Sequence, residues 1–147
     1  MADQHPKNTA DALIAMCIDD TEFDLMLNKR VLRRSGAFET ILQFTGGEEA
    51  LAYIRTAPRR ADVIFLDINM PVMNGFEFIQ AATNEFGANF ARSVVIMLTS
   101  SLNPKDRAMA EEFEAVREFL SKPLTVEDAC DVAHRVRELI ADYNEGI

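Results

Sequence analysis

The sequence predicts an α/β domain built on a mostly parallel five-stranded sheet with helices on both faces. Three observations predict it. Apolar runs of strand length and amphipathic stretches of helical spacing alternate five times along the 147 residues. The connections between them are short. Three of the runs, at 13–18, 63–66 and 94–98, are apolar throughout, the pattern of strands buried on both faces. A chain of this length is one domain with room for a substantial core.

Residues 1–11 are polar and aperiodic, and are expected to form a disordered tail. The first strand, Leu13 to Ile18, stops at Asp19-Asp20. Thr21 follows as a helix N-cap, with Glu22 and Asp24 in the first turn, where the helix dipole favours acids. Phe23, Met26, Leu27 and Val31 recur at helical spacing as the expected core stripe, and Ser35-Gly36 closes the helix. The mixed run at 39–44 suits a shorter, less buried strand. Gly46-Gly47 opens a helix with Ala50, Leu51 and Ile54 on its core face, ending near Pro58.

The apolar run Val63-Ile64-Phe65-Leu66 delivers one carboxylate, Asp67, to its C-terminal end. Met70-Pro71 prevents the strand from continuing, because proline cannot donate to a ladder. Asn74-Gly75 supplies turn chemistry before a helix with a Phe76, Ile79, Ala82, Phe86 stripe. A looser stretch at 87–91 leads to the fourth strand, which ends in Thr99-Ser100-Ser101. Asn103-Pro104 starts a weakly apolar helix offering Ala108, Met109 and Phe113. The fifth strand, 116–120, carries central charges that suit a sheet edge. After Ser121-Lys122-Pro123 comes a long stripe of Val126, Ala129, Cys130, Ala133, Val136 and Ile140, and residues 143–147 are expected to fray.

Composition excludes several function classes. Apolar and charged fractions of 48% and 27% are those of an ordinary globular protein, and the net charge of -9 opposes sequence-independent DNA binding and docking on an anionic membrane. Arg33-Arg34 and Arg59-Arg60 are too sparse for a nucleic-acid patch. No run approaches membrane-spanning length and the N-terminus is no signal peptide, so a cytoplasmic location without membrane insertion is expected. Cys17 and Cys130 form no CxxC motif and read as buried free thiols in a reducing compartment. His5 and His134 read as surface residues.

The chemistry lies at the strand ends. In a doubly wound sheet the carboxyl ends share one edge, so Asp19, Asp20, Asp67, Thr99 and Lys122 converge across a hundred residues of sequence. Grouped carboxylates repel one another and call for a cation. A hard divalent ion with oxygen ligands, Mg²⁺ above all, is the natural partner. The lysine and hydroxyl add a point charge and a donor suited to a phosphoryl group. Taken singly, Asp19-Asp20 would serve as helix N-terminal acids, Thr99 and Ser100 as strand terminators and Lys122 as a solvated lysine. Five such residues at successive strand ends argue for a site.

The set Asp19-Asp20, Asp67-Ile68-Asn69-Met70-Pro71, Thr99-Ser100 and Lys122-Pro123 closely resembles the receiver domain of two-component response regulators, chemotaxis-type receivers included. The resemblance covers about residues 12 to 141. It implies a flavodoxin-like (βα)5 fold with strand order 2-1-3-4-5, and a receiver domain over 12–142. It implies that Asp67 is the phosphoacceptor, taking a phosphoryl group from the phosphohistidine of a sensor histidine kinase or histidine phosphotransfer protein. Asp19, Asp20, Asp67 and the backbone carbonyl of Asn69 would hold Mg²⁺, with Mn²⁺ able to substitute; Asp19 would act mainly through water. Lys122 would pair with the phosphoryl oxygens, and Lys122-Pro123 would be cis. Thr99 and Phe119 would form the switch, Phe119 lacking the hydroxyl of the tyrosine common there. Asn69 and Ser101 would tune loss of the phosphoryl group.

With no output domain expected in the chain, a stand-alone bacterial regulator would signal through protein contacts or a phosphorelay from the face around 99–141. It would catalyse only its own phosphorylation and dephosphorylation. Two other functions fail on particular residues. A haloacid-dehalogenase-type phosphatase needs a second acid two positions after the nucleophile, where this chain has Asn69. A flavodoxin-like FMN carrier needs a Ser/Thr/Gly phosphate loop after the first strand, where Asp19-Asp20 would repel phosphate. A docking module that is never phosphorylated would have no need of the complete site.

Overall fold

A computed structural model describes residues 12–57, 59–101 and 103–145. The elements in order are β1 (Leu13–Ile18), α1 (Glu22–Ser35), β2 (Phe38–Phe44), α2 (Gly47–Thr56), β3 (Val63–Asp67), α3 (Gly75–Phe86), α4 (Ala88–Ala91), β4 (Val94–Thr99), α5 (Pro104–Ala110), β5 (Val116–Ser121) and α6 (Val126–Glu145). The strands form one sheet in the order β2-β1-β3-β4-β5, and every neighbouring pair is parallel. The expected tail at 1–11, His5 and Pro58 lie outside the described residues.

The period of two along each central strand splits the core into two layers. Ile64 and Leu66 of β3, with Met16, Ile18, Val95 and Met97, pack against Leu51 of α2 and Phe78 and Ile79 of α3. Val63 and Phe65, with Ala15, Cys17, Ile96 and Leu98, pack against Leu25 and Leu32 of α1 and Ala129, Val132 and Val136 of α6. Full burial of each such aliphatic or aromatic side chain is worth about 1.5–3 kcal/mol. Both faces of β1, β3 and β4 are covered, which is why these strands read as continuous apolar runs. The edge strands β2 and β5 are only part-buried and carry the polar residues.

Several expectations are corrected. The buried stripe of α1 is Leu25, Asn28 and Leu32, whereas Phe23 and Met26 face solvent at 61% and 47% exposure. The stretch at 87–91 contains a one-turn helix, α4, anchored by buried Phe90. On α5 the buried residue is Ala110; Ala108 and Met109 are exposed and Phe113 stacks on Phe76 beyond the helix end. Cys17 is buried and burial pushes its thiol up to about 12, but Cys130 is exposed, because Val132 takes the inward position on α6. The last helix runs through Glu145. Among the described residues no helix is long and apolar enough to cross a membrane.

Candidate functional site

The strand order reverses between β1 and β3: the chain steps outward from β1 to β2, then crosses back to β3 on the other side. Ligand crevices in open α/β sheets form beyond the carboxyl ends of the strands at such a switch point. Asp19 leaves β1 there. Its N–H continues the ladder to the Phe44 carbonyl at 3.1 Å, and its Oδ1 accepts the Thr21 N–H at 2.9 Å, turning the chain into α1. Thr21 holds the N-cap position, but its side chain makes no cap bond.

Asp67 is the last residue of β3 and only 7% exposed. Beyond it the loop folds back tightly. The Gly75 N–H donates to the Ile68 carbonyl at 2.8 Å, and a Cβ on Gly75 would lie 2.7 Å from the Asp67 carbonyl oxygen. A side chain at 75 would therefore displace the backbone that carries Asp67. Asn74 and Glu77 start α3 with a reciprocal capping box at 2.9 Å in each direction. Between them and Pro71, Val72 adopts a φ of 69° at 93% exposure, inside a turn closed by the Met73 N–H on the Pro71 carbonyl at 2.7 Å. A β-branched residue in that conformation is strained.

The β4 and β5 ends lie level, Thr99 facing Ser121 in register. The Lys122 N–H donates to the Thr99 carbonyl at 2.9 Å, and Lys122-Pro123 is a cis bond. The Thr99 hydroxyl is buried and occupied locally, donating to the Ser101 carbonyl at 2.8 Å and accepting the Ser101 N–H at 3.1 Å. Lys122 Nζ reaches across the sheet edge to Asp19 Oδ2 at 2.8 Å, Asp24 Oδ2 at 3.0 Å and Asp67 Oδ1 at 3.2 Å.

Carboxylate oxygens of Asp19, Asp20 and Asp67 lie within 4.8 Å of one another. Burial and then the Asp19 charge push the Asp67 carboxyl up to about 6, an increase that Lys122 only partly offsets. Burial disfavours the Lys122 ammonium, but its hydrogen bonds to Asp19 and Asp24 outweigh this and hold it above the ordinary lysine range. The site therefore carries more negative charge than one lysine neutralises, and an all-oxygen donor set of this size fits a hard divalent cation.

Residues 15–134 match the response regulator receiver domain. The chain belongs to the response regulator receiver domain family. Receiver domains are signalling modules of two-component systems and interact with sensor histidine kinases or phosphotransfer proteins. This receiver is 29% identical over 138 residues to the sensor histidine kinase CheAY of Helicobacter pylori, covering 94% of this chain but 17% of that protein. It is 26% identical over 137 residues to two-component response regulator 24 of Arabidopsis thaliana, covering 92% of each. Among solved structures, a two-component response regulator from Cytophaga hutchinsonii superposes with a TM-score of 0.81 at 32% identity, over 87% of this chain and 98% of that one. The Vibrio cholerae chemotaxis protein CheY4 does so at 0.71 and 29%, over 85% and 98%.

Within the receiver, the fold brings Asp19, Asp20, Asp67 and Lys122 together and sets Thr99 beside Lys122 through the backbone. Asn69 and Ser101 are exposed at the rim. Phe119 stands apart from the acids, half-buried on β5 with the Arg107 guanidinium 5.7 Å from its ring centroid. Sequence reasoning missed Asp24, which it placed only among the acids of a helix N-terminus, and Val72, whose backbone conformation no residue type announces.

Proposed function

We propose that this receiver accepts a phosphoryl group on Asp67 from the phosphohistidine of a sensor kinase or phosphotransfer protein. The observation that carries the reading is the buried Asp67 carboxylate, 3.2 Å from Lys122 Nζ and grouped with two further acids at the sheet switch point. An Asp67 carboxylate oxygen forms the new bond to phosphorus as the phosphorus–nitrogen bond of the phosphohistidine breaks. The imidazole leaves with the electron pair and is protonated. Lys122 donates to the phosphoryl oxygens, and the preorganised ammonium costs little reorganisation at the moment of transfer. Asp19, Asp20, Asp67 and the Asn69 carbonyl would hold Mg²⁺ (or Mn²⁺), which when bound neutralises charge on the phosphoryl oxygens.

Thr99 would release Ser101 to donate to the new phosphoryl oxygen, drawing the 99–101 turn inward, and Phe119 would follow. The exposed rim positions Asn69 and Ser101 would set water access and hence the lifetime of the modified state. Output would run through the face around 99–141, formed by α5, β5 and α6, to a protein target or a further histidine protein. The short, poorly buried α5 supports a two-state element there. The same site would catalyse the receiver's own dephosphorylation and act on no other substrate.

The test is to incubate the protein with Mg²⁺ and a small acyl-phosphate donor and weigh it. Wild type gains one phosphoryl group, stable to acid and labile to base, and Asp67→Asn gains none. An unmodified wild type, or an equally modified mutant, would sink the reading.

A further inference from the structure

Lys122 has three N–H donors: it gives hydrogen bonds to Asp19 and Asp24, and the Asp67 carboxylate lies 3.2 Å away as a third ion-pair partner. Asp19 and Asp67 belong to the acid group that would face a cation; Asp24, at 3.0 Å, does not. Asp24 sits in the first turn of α1, and its contact with Lys122 spans 98 residues of sequence. The reading of it as a helix N-terminal acid does not account for that contact. We propose that Asp24 is a positioning residue that competes with the phosphoryl group for the Lys122 ammonium and so sets the threshold for modification of Asp67. The proposal rests on the phosphoacceptor reading above and adds the regulation of that site.

The three partners differ in what it takes to release them. The Asp19 side chain is 2% exposed and its other oxygen is held by the Thr21 N–H, so it stays. Asp67 is where the phosphoryl group arrives. The Asp24 side chain is 30% exposed, and water can take over its hydrogen bonds when Lys122 leaves. Until then it occupies the donor that a phosphoryl oxygen needs, and its charge opposes an incoming dianion. Asp24→Ala frees one N–H and removes one unit of repulsion together, whereas Asp24→Asn keeps an acceptor and removes the repulsion alone.

The experiment titrates beryllofluoride, a phosphoryl mimic, into wild type, Asp24→Asn and Asp24→Ala at saturating Mg²⁺, following backbone amides by NMR. Glu22→Gln removes the same charge from the same helical turn as a control. Both Asp24 variants are expected to half-saturate at about 1.5-fold to fivefold lower mimic concentration, the range of a partly exposed ion pair, with Glu22→Gln close to wild type. The Lys122 ammonium resonance should differ between wild type and the Asp24 variants without Mg²⁺ or mimic and coincide once both are bound, because Asp24 has then let go. Thermal unfolding of each variant confirms the fold. Unchanged or weaker mimic binding in both Asp24 variants overturns the proposal, as does an ammonium resonance that still differs in the loaded proteins. A wild type that takes up no mimic at all overturns the phosphoacceptor reading itself.

Discussion

Asp67→Asn should stabilise the metal-free protein at neutral pH, although it removes the central residue of the site. In the fold the carboxyl titrates at about 6 rather than the ordinary 3.8, chiefly because burial and the Asp19 charge disfavour its ionised form. Between those values the folded protein binds a proton that the unfolded chain has lost, so Asp67 lowers stability as pH rises from about 4 to about 6, and the penalty is complete above that. About two pKa units at about 1.4 kcal/mol each set a ceiling near 3 kcal/mol. Solvent at the open side of the site reduces this to about 1–2 kcal/mol. Asparagine keeps the shape and an acceptor for Lys122 without the charge. Thermal unfolding in EDTA should show Asp67→Asn melting about 2–8 °C above wild type at pH 7.5, with the difference vanishing near pH 4. A mutant less stable than wild type at pH 7.5, or a gain that does not change with pH, would refute the electrostatic account.

Four further outcomes are expected. Mg²⁺ should raise the melting temperature of wild type, by about 2.7 kcal/mol of stability at a hundredfold excess over Kd, and Asp19→Asn and Asp20→Asn should each weaken this response in a metal titration. Gly75→Ala should cost about 1–3 kcal/mol in chemical denaturation because its Cβ meets the Asp67 carbonyl at 2.7 Å. Gly36→Ala, with open space but a φ of 70°, should cost only about 1 kcal/mol. Val72→Gly should stabilise by up to about 1 kcal/mol, since glycine takes the positive φ of this tight turn without strain and the exposed valine buries nothing; a lower denaturation midpoint would contradict this.

The sheet was legible because β1, β3 and β4 are covered on both sides, which leaves no polar residue inside the runs. The site was legible because each of its parts ends a strand, and the parallel topology gathers strand ends without any long-range signal in the sequence. The phase of α1 was not. Leu25, Met26, Leu27, Val31 and Leu32 spread apolar character around much of the helix, so spacing alone could not choose the stripe, and packing on Phe65 and α6 selects Leu25 and Leu32. Cys130 failed similarly beside Val132. Asp24 escaped notice because its role depends on Lys122, which folding brings across the sheet edge from the far end of the chain. The turn at Val72 stays hidden because valine disfavours the conformation it adopts there.

The most direct test of the central claim is to locate the modification. After reaction with an acyl-phosphate donor, borohydride reduction converts a phosphorylated aspartate to homoserine, which peptide mass spectrometry places in the sequence. With Mg²⁺ present, homoserine should replace Asp67 and no other aspartate, and omission of Mg²⁺ should abolish it. Homoserine at Asp19, Asp20 or Asp24, or none anywhere with Mg²⁺ present, would contradict the assignment of Asp67 as the phosphoacceptor.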